Sequence, residues 1–153
     1  MKKISILFIL FTCLFITACG KKESKEIGSL SNFENISINN GFTVKDNMGA
    51  YQNINYIIGS MVATKDDITI EMVIYDTTDN AIKAQDNQIK TFSNFKSAGS
   101  TTKKDKGENY YKYVFISNGY YMISSRIDNT LIFSKVLLTN KETVENIFTN
   151  MNY

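Results

Sequence analysis

Two kinds of local signal in this sequence predict an α+β domain, an antiparallel sheet of about five or six strands built from hairpins with about three helices packed on it. The first is a set of two-residue turns: Asn118-Gly119 and Asp128-Asn129 each separate apolar runs, and Lys65-Asp66-Asp67 joins two more strand-like runs. The second is apolar residues at helical spacing behind Ser or Thr caps in three other stretches. Strands that arrive in hairpins, not singly between helices, pair antiparallel. A chain of 153 residues has room for one such domain.

The elements follow in order. Ser31-Asn32-Phe33-Glu34 reads as a capping box opening a helix over about 31–40, which Gly41 closes. Phe42 to Lys45 begin a strand, and 46–53 are polar. Residues 54–64 are apolar on both faces, as in a central strand, whereas Ile68, Ile70, Met72 and Ile74 alternate with Thr69, Glu71, Val73 and Tyr75. From Thr77 or Thr78 the period becomes helical, with Ala81, Ile82, Ile89, Phe92 and Phe95 on one stripe and no breaker before Gly99, so this is the longest helix. Residues 96–109 contain Lys103, Lys104 and Lys106 but no large apolar group, and read as a mobile loop: a solvated connection, or a lid or docking loop.

The hairpin turns set a register for residues 110–138. Ser117 faces Tyr120, Phe115 faces Met122, Tyr113 faces Ser124 and Tyr111 faces Arg126; across the second turn Arg126 faces Leu131 and Ser124 faces Phe133. Tyr111, Tyr113, Phe115, Met122, Arg126, Leu131 and Phe133 then share one side, and Val114, Ile116, Tyr121, Ile123, Ile127, Ile132 and Val136 the other. Thr139-Asn140-Lys141-Glu142 is a second capping box, opening an amphipathic helix through Val144, Ile147, Phe148 and Met151.

The first 18 residues have the form of an export signal: Lys2 and Lys3, an apolar run from Ile4 to Ile16, and the small residue Ala18. The run is short for a membrane span, which needs about 20 apolar residues. Ile16-Thr17-Ala18-Cys19-Gly20 resembles the lipobox of bacterial lipoproteins, with Ile where Leu is commoner. That resemblance implies diacylglycerol on the Cys19 thiol, cleavage before Cys19, and anchoring at the extracytoplasmic face of the cell membrane. Residues 19–28 then form a lipidated Cys and flexible tether, and 29–153 the domain. The whole pattern, including the segment 125–130 (SRIDNT), is also similar to small lipoproteins of Gram-positive bacteria. This similarity implies an address and a fold, and supplies no motif for an activity.

Cleavage removes Cys13, the only other cysteine, so the mature chain has no disulfide. It also removes Lys2 and Lys3 from the seventeen Lys and Arg, leaving fifteen against fifteen Asp and Glu. A neutral chain gives no net-charge support to nucleic-acid binding.

The sequence has no His, which excludes Ser-His-Asp and Cys-His catalysis and His-ligated metal sites. No phosphate loop, dinucleotide fingerprint, nucleophile elbow or calcium loop is present. No cofactor or metal is therefore expected. Glu71 with Asp76, and Asp66 with Asp67, are carboxylate pairs, but a turn and the polar face of a strand ordinarily hold solvated groups. Arg126 is the only arginine. Among Tyr111, Tyr113 and Phe133 it can bind a carboxylate or phosphate; alternatively it pairs internally with Glu71 or Asp128 and covers aromatic surface with its stem. The expected function is a non-enzymatic, lipid-anchored domain binding an envelope protein or a small ligand, with those four residues as the candidate site. The alternative is an inhibitor or immunity lipoprotein that captures an external enzyme or toxin through the loop 96–109. A hydrolase using carboxylates or a Ser-Lys pair stands third.

Overall fold

The computed structural model describes residues 22–153, so the expected signal, lipobox and Cys19 lie outside the described residues. The elements are α1 (Leu30–Asn39), β1 (Thr43–Asp46), a 3-10 turn (Met48–Tyr51), β2 (Ile57–Lys65), β3 (Ile68–Tyr75), α2 (Thr78–Ser93), β4 (Thr101–Lys106), β5 (Tyr110–Ser117), β6 (Tyr120–Ile127), β7 (Thr130–Leu137), a second 3-10 turn (Leu138–Asn140) and α3 (Lys141–Asn150). The fold is α+β, with one sheet of seven strands in the order β1-β2-β3-β7-β6-β5-β4. Every neighbouring pair is antiparallel. Among the described residues no helix is long and apolar enough to cross a membrane.

The hairpin registers are those the turns predict. Tyr111 pairs with Arg126, Tyr113 with Ser124, and Phe115 with Met122, while Leu131 and Phe133 pair with Arg126 and Ser124. Asn118 and Gly119 both take positive φ (50° and 75°), the backbone of a type I′ turn that matches the strand twist. Asp66 and Asp128 open the other two turns at φ 50° and 47°.

Helices cover both faces of the sheet. On one, Phe33 of α1 and Val144, Ile147 and Phe148 of α3 pack on Ile70, Met72, Ile123, Ile127 and Ile132. On the other, α2 and the first 3-10 turn pack on Val73, Leu131, Tyr113, Phe115 and Met122. The central strands β3 and β7 are therefore buried on both sides, and the alternation expected of Ile68 to Tyr75 fades where Met72 and Val73 are both fully buried.

Helix ends differ from expectation where tertiary contacts compete with local caps. Ser29, not Ser31, caps α1, its Oγ accepting from Asn32 N at 3.1 Å. At the far end Gly41 (φ 81°) donates to Ile38 O and Phe42 to Ser37 O, a Schellman closure. α2 is the longest helix, capped by Thr77, and stops at Ser93 well before Gly99. The Ser117 and Asn118 side chains take the Phe95 carbonyl and turn the chain there. Thr139 does not cap α3: Asn140 precedes it without a capping bond and spends its side chain on Asp67 Oδ1 at 2.9 Å.

The largest departure lies in 96–109. Residues 101–106 are not a loop but the edge strand β4, paired in unbroken register with β5, which brings the strand count to seven. All six of its side chains are exposed, so backbone pairing with β5 is its main source of order, joined by Asp105 Oδ1 accepting from Tyr110 OH at 3.2 Å, and no apolar alternation betrays it. Lysines on an edge strand also discourage pairing with another chain. The segment expected as a tether also differs from Glu23 onward. Glu108 N donates to Glu23 O (2.8 Å), Lys25 and Asn109 exchange two hydrogen bonds (2.9 and 2.8 Å), and Lys25 Nζ lies 4.5 Å from the Tyr110 ring centroid. Residues 23–25 thus strap the β4–β5 turn.

Candidate functional site

Two cross-strand rows organise the face beneath α2. Lys106, Tyr111, Arg126 and Leu131 stand side by side on β4, β5, β6 and β7; the next row is Lys104, Tyr113, Ser124 and Phe133. The α2 stripe crosses both rows. Its Ala81, Gln85 and Phe92 are buried, and the Gln85 amide donates to Tyr111 O at 2.8 Å and Ser124 O at 3.3 Å, tying helix to sheet.

The structure divides the four expected ligand-binding residues. Tyr113 packs with Phe92, Phe115 and Met122, and Phe133 with Val73, Ala81 and Leu131, so both hold α2 in place instead of offering a surface. Arg126 and Tyr111 are brought together in a cavity of about 490 Å³ between α2 and the β4 side of the sheet. Ile82, Gln85 and Asp86 of α2 and Lys104 and Lys106 of β4 complete its lining. The Gln interrupting an apolar helical stripe was a readable signal for the helix wall. The lysines share a face only because β4 is a strand.

Neither expected internal partner pairs with Arg126. The Glu71 Oε1 atom accepts instead from Asn47 (2.7 Å), Tyr51 OH (2.6 Å) and Ser60 Oγ (3.0 Å). The Asp128 carboxylate accepts from Asn109 at 2.8 Å, and only the Asp128 backbone carbonyl meets Arg126, at 3.0 Å from Nη1. The same Nη1 lies 3.4 Å from Asn109 O. Arg126 is 8% exposed, its Nε is sealed from water without an acceptor, and no carboxylate lies within 4 Å of it among the described residues. Burial lowers its pKa from the ordinary arginine value, opposed by the charges of Asp128 and Asp86; a guanidinium so placed stays protonated. Ser124 Oγ, two residues back on the same face of β6, is also buried and unpaired. Burial, helped by Tyr113 and Asp86, raises the pKa of Tyr111.

A second cavity of about 390 Å³ opens on the opposite face beside Lys112, Tyr121 and Glu145. Three of its polar groups are matched internally: Lys112 Nζ donates to Tyr153 O at 3.0 Å and Tyr121 OH to Glu145 at 3.0 Å. Burial, and then Lys25, lower the Lys112 pKa. The expected carboxylate pairs are likewise committed, Asp76 to Asn80 (2.7 Å) and Asp67 to Asn140. Glu71, expected on a solvated face, is instead half-buried and holds the first 3-10 turn to the sheet. Among the described residues no cluster of three metal-ligating side chains occurs.

No family model, curated protein or solved structure matches this chain.

Proposed function

We propose that this chain is a lipid-anchored, extracytoplasmic, non-enzymatic domain that binds a small ligand in the cavity between α2 and the β4–β6 sheet. The observation that carries the binding reading is the buried Arg126 opening on that cavity with no carboxylate partner. A buried cation left unpaired costs stability, and an apolar side chain of similar size would serve packing better. Its volume lies within the range of small-ligand sites, about 300–1,000 Å³. The anchor reading rests on the resemblance of 16–20 to a lipobox. The alternative, capture of an external enzyme, loses its main support because 101–106 is a hydrogen-bonded edge strand and no longer a free loop.

Intact mass of the detergent-extracted protein tests the anchor: a mass for cleavage before Cys19 plus diacylglycerol, absent in Cys19→Ser, is the expected result. An unlipidated mass refutes it and makes a diffusible inhibitor the better reading. For binding, ligands selected by thermal shift are expected to perturb the amides of Ile82, Tyr111 and Arg126. Perturbation only around Lys112 and Tyr121 places the site elsewhere.

A further inference from the structure

We infer that the cavity at Arg126 takes an oxyanion, the carboxylate or phosphate head of a small ligand, drawn in by Lys104 and Lys106 and seated on the Arg126 guanidinium. The inference rests on the reading of this cavity as the ligand site and names the chemistry the site accepts.

The charge balance comes first. Three cations and one anion, Asp86, line the cavity, and Asp86 lies beyond ion-pair distance of Arg126. The lysines stand on the cavity face of β4 because 104 and 106 alternate with Asp105, which pairs with Lys112 and points to the other face. All three β4 residues are exposed, so the lysines can gather an anion from solvent.

Donor geometry gives the second argument. Arg126 spends Nη1 on two backbone carbonyls, which tethers one corner of the guanidinium at the end of β6. Nε and Nη2 have no acceptor among the described residues. Those two nitrogens form the edge that receives an oxyanion at two points, an interaction stronger and more directional than a neutral hydrogen bond. Because Nε is closed to water, full two-point contact requires the guanidinium to turn toward the cavity. Ile82 and Tyr111 offer apolar and aromatic wall to the remainder of the ligand.

The single arginine makes this directly measurable, since its Nε–Hε group gives one resonance. The full chain, ¹⁵N-labelled and extracted in detergent, is titrated with inorganic phosphate, benzoate, uncharged benzamide, and chloride at matched ionic strength. Saturable movement of the Nε–Hε resonance by phosphate or benzoate, but not by chloride, is expected, and the tighter of the two names the head group. Arg126→Lys, which keeps the charge and loses the fork, is expected to weaken binding about tenfold. Lys104→Gln with Lys106→Gln, on a strand whose side chains make no core, is expected to weaken it several-fold with the fold intact. Asp86→Asn is expected to tighten it. Benzamide binding at Ile82 and Tyr111 as tightly as benzoate overturns the oxyanion inference while leaving the cavity as the ligand site. Anion shifts confined to the Lys112 side overturn both, as does silence of every cavity resonance to all of these probes.

Discussion

Gly107→Ala tests whether the residues ahead of α1 belong to the folded domain. A Cβ at Gly107 would stand 2.2 Å from Glu23 O and 2.1 and 2.6 Å from Tyr110 Cε1 and Cδ1. Real Cβ atoms do not approach that closely, so one neighbour must move. Tyr110 is 4% exposed and belongs to the core beneath α1 and α3, whereas Glu23 is held by the Glu108 hydrogen bond and its neighbours. The strap is the softer side. Four hydrogen bonds hold it, from Glu108 to Glu23, two between Lys25 and Asn109, and a long one of 3.5 Å from Tyr110 OH to the Glu23 carboxylate; at about 1 kcal/mol net for each of the three short ones they bound its loss at about 3 kcal/mol. Residual crowding of Tyr110 adds about 1–3 kcal/mol. Ordering entropy regained by the freed residues offsets part of the sum, so the expected cost is about 2–4 kcal/mol. Urea unfolding measures it, and hydrogen exchange of the Lys25 and Glu108 amides reports the strap itself. In a chain lacking residues 20–26 the same substitution is expected to cost at least about 1 kcal/mol less, the coupling of groups in contact. A cost below about 0.5 kcal/mol in the longer chain, with both amides as protected as in the parent, refutes the packing argument.

The other predictions are briefer. Glu71→Ala strands the Asn47, Tyr51 and Ser60 donors and is expected to cost about 3 kcal/mol, with exchange protection lost first in the 3-10 turn 48–51; an unchanged unfolding midpoint refutes this. Gly119→Val forces a β-branched residue into φ 75° and is expected to cost about 1–3 kcal/mol, whereas Asn118→Gly stays near neutral in the same denaturation assay. At alkaline pH, burial followed by the Glu71 charge pushes Tyr75 up to about 12, and burial raises Tyr51 and Tyr121 further. Since the folded chain holds these protons above the unfolded value of 10.0, their stabilisation is complete below pH 10 and lost as pH rises through 12. Absorbance titration should show a tyrosine class that ionises only with unfolding; nine tyrosines titrating together near pH 10 with the fold intact refute it.

How much of the fold was legible depends on where each segment's order comes from. The β5–β6–β7 meander was readable to the residue because Asn118-Gly119 and Asp128-Asn129 admit few turn geometries, and a period of two carries the register from turn to strand end. α3 was readable because Val144, Ile147, Phe148 and Met151 enter the core at helical spacing. β4 was not, since Thr101 to Lys106 bury no side chain and owe their conformation to β5 backbone groups that a local pattern cannot display. The caps of α1 and α3 misled for a related reason. Ser31 and Thr139 each satisfy the local rule, yet capping contributes only about 1 kcal/mol and gives way to packing that starts a helix elsewhere.

The candidate site was half legible, and the missing half follows from the missed strand. Tyr111 and Arg126 were placed together correctly because pairing across one hairpin joins them. Tyr113 and Phe133 lie on the same face, but the register says nothing of where along that face α2 will lie; Phe92 and Ala81 bring the helix down on those two. Reading 101–106 as a loop also hid Lys104 and Lys106, which join the site only through their pairing with Tyr113 and Tyr111. With those lysines unplaced, Arg126 looked like an isolated cation that an internal carboxylate would neutralise. Glu71 and Asp128, the two carboxylates expected as its partners, are both committed to neutral donors. Three cations and one anion, Asp86, thus line one cavity, while both expected partners of Arg126 are spent elsewhere. Only Nη1 of Arg126 meets backbone carbonyls, so part of the guanidinium's donor capacity is left unspent beside a cavity that two further cations line.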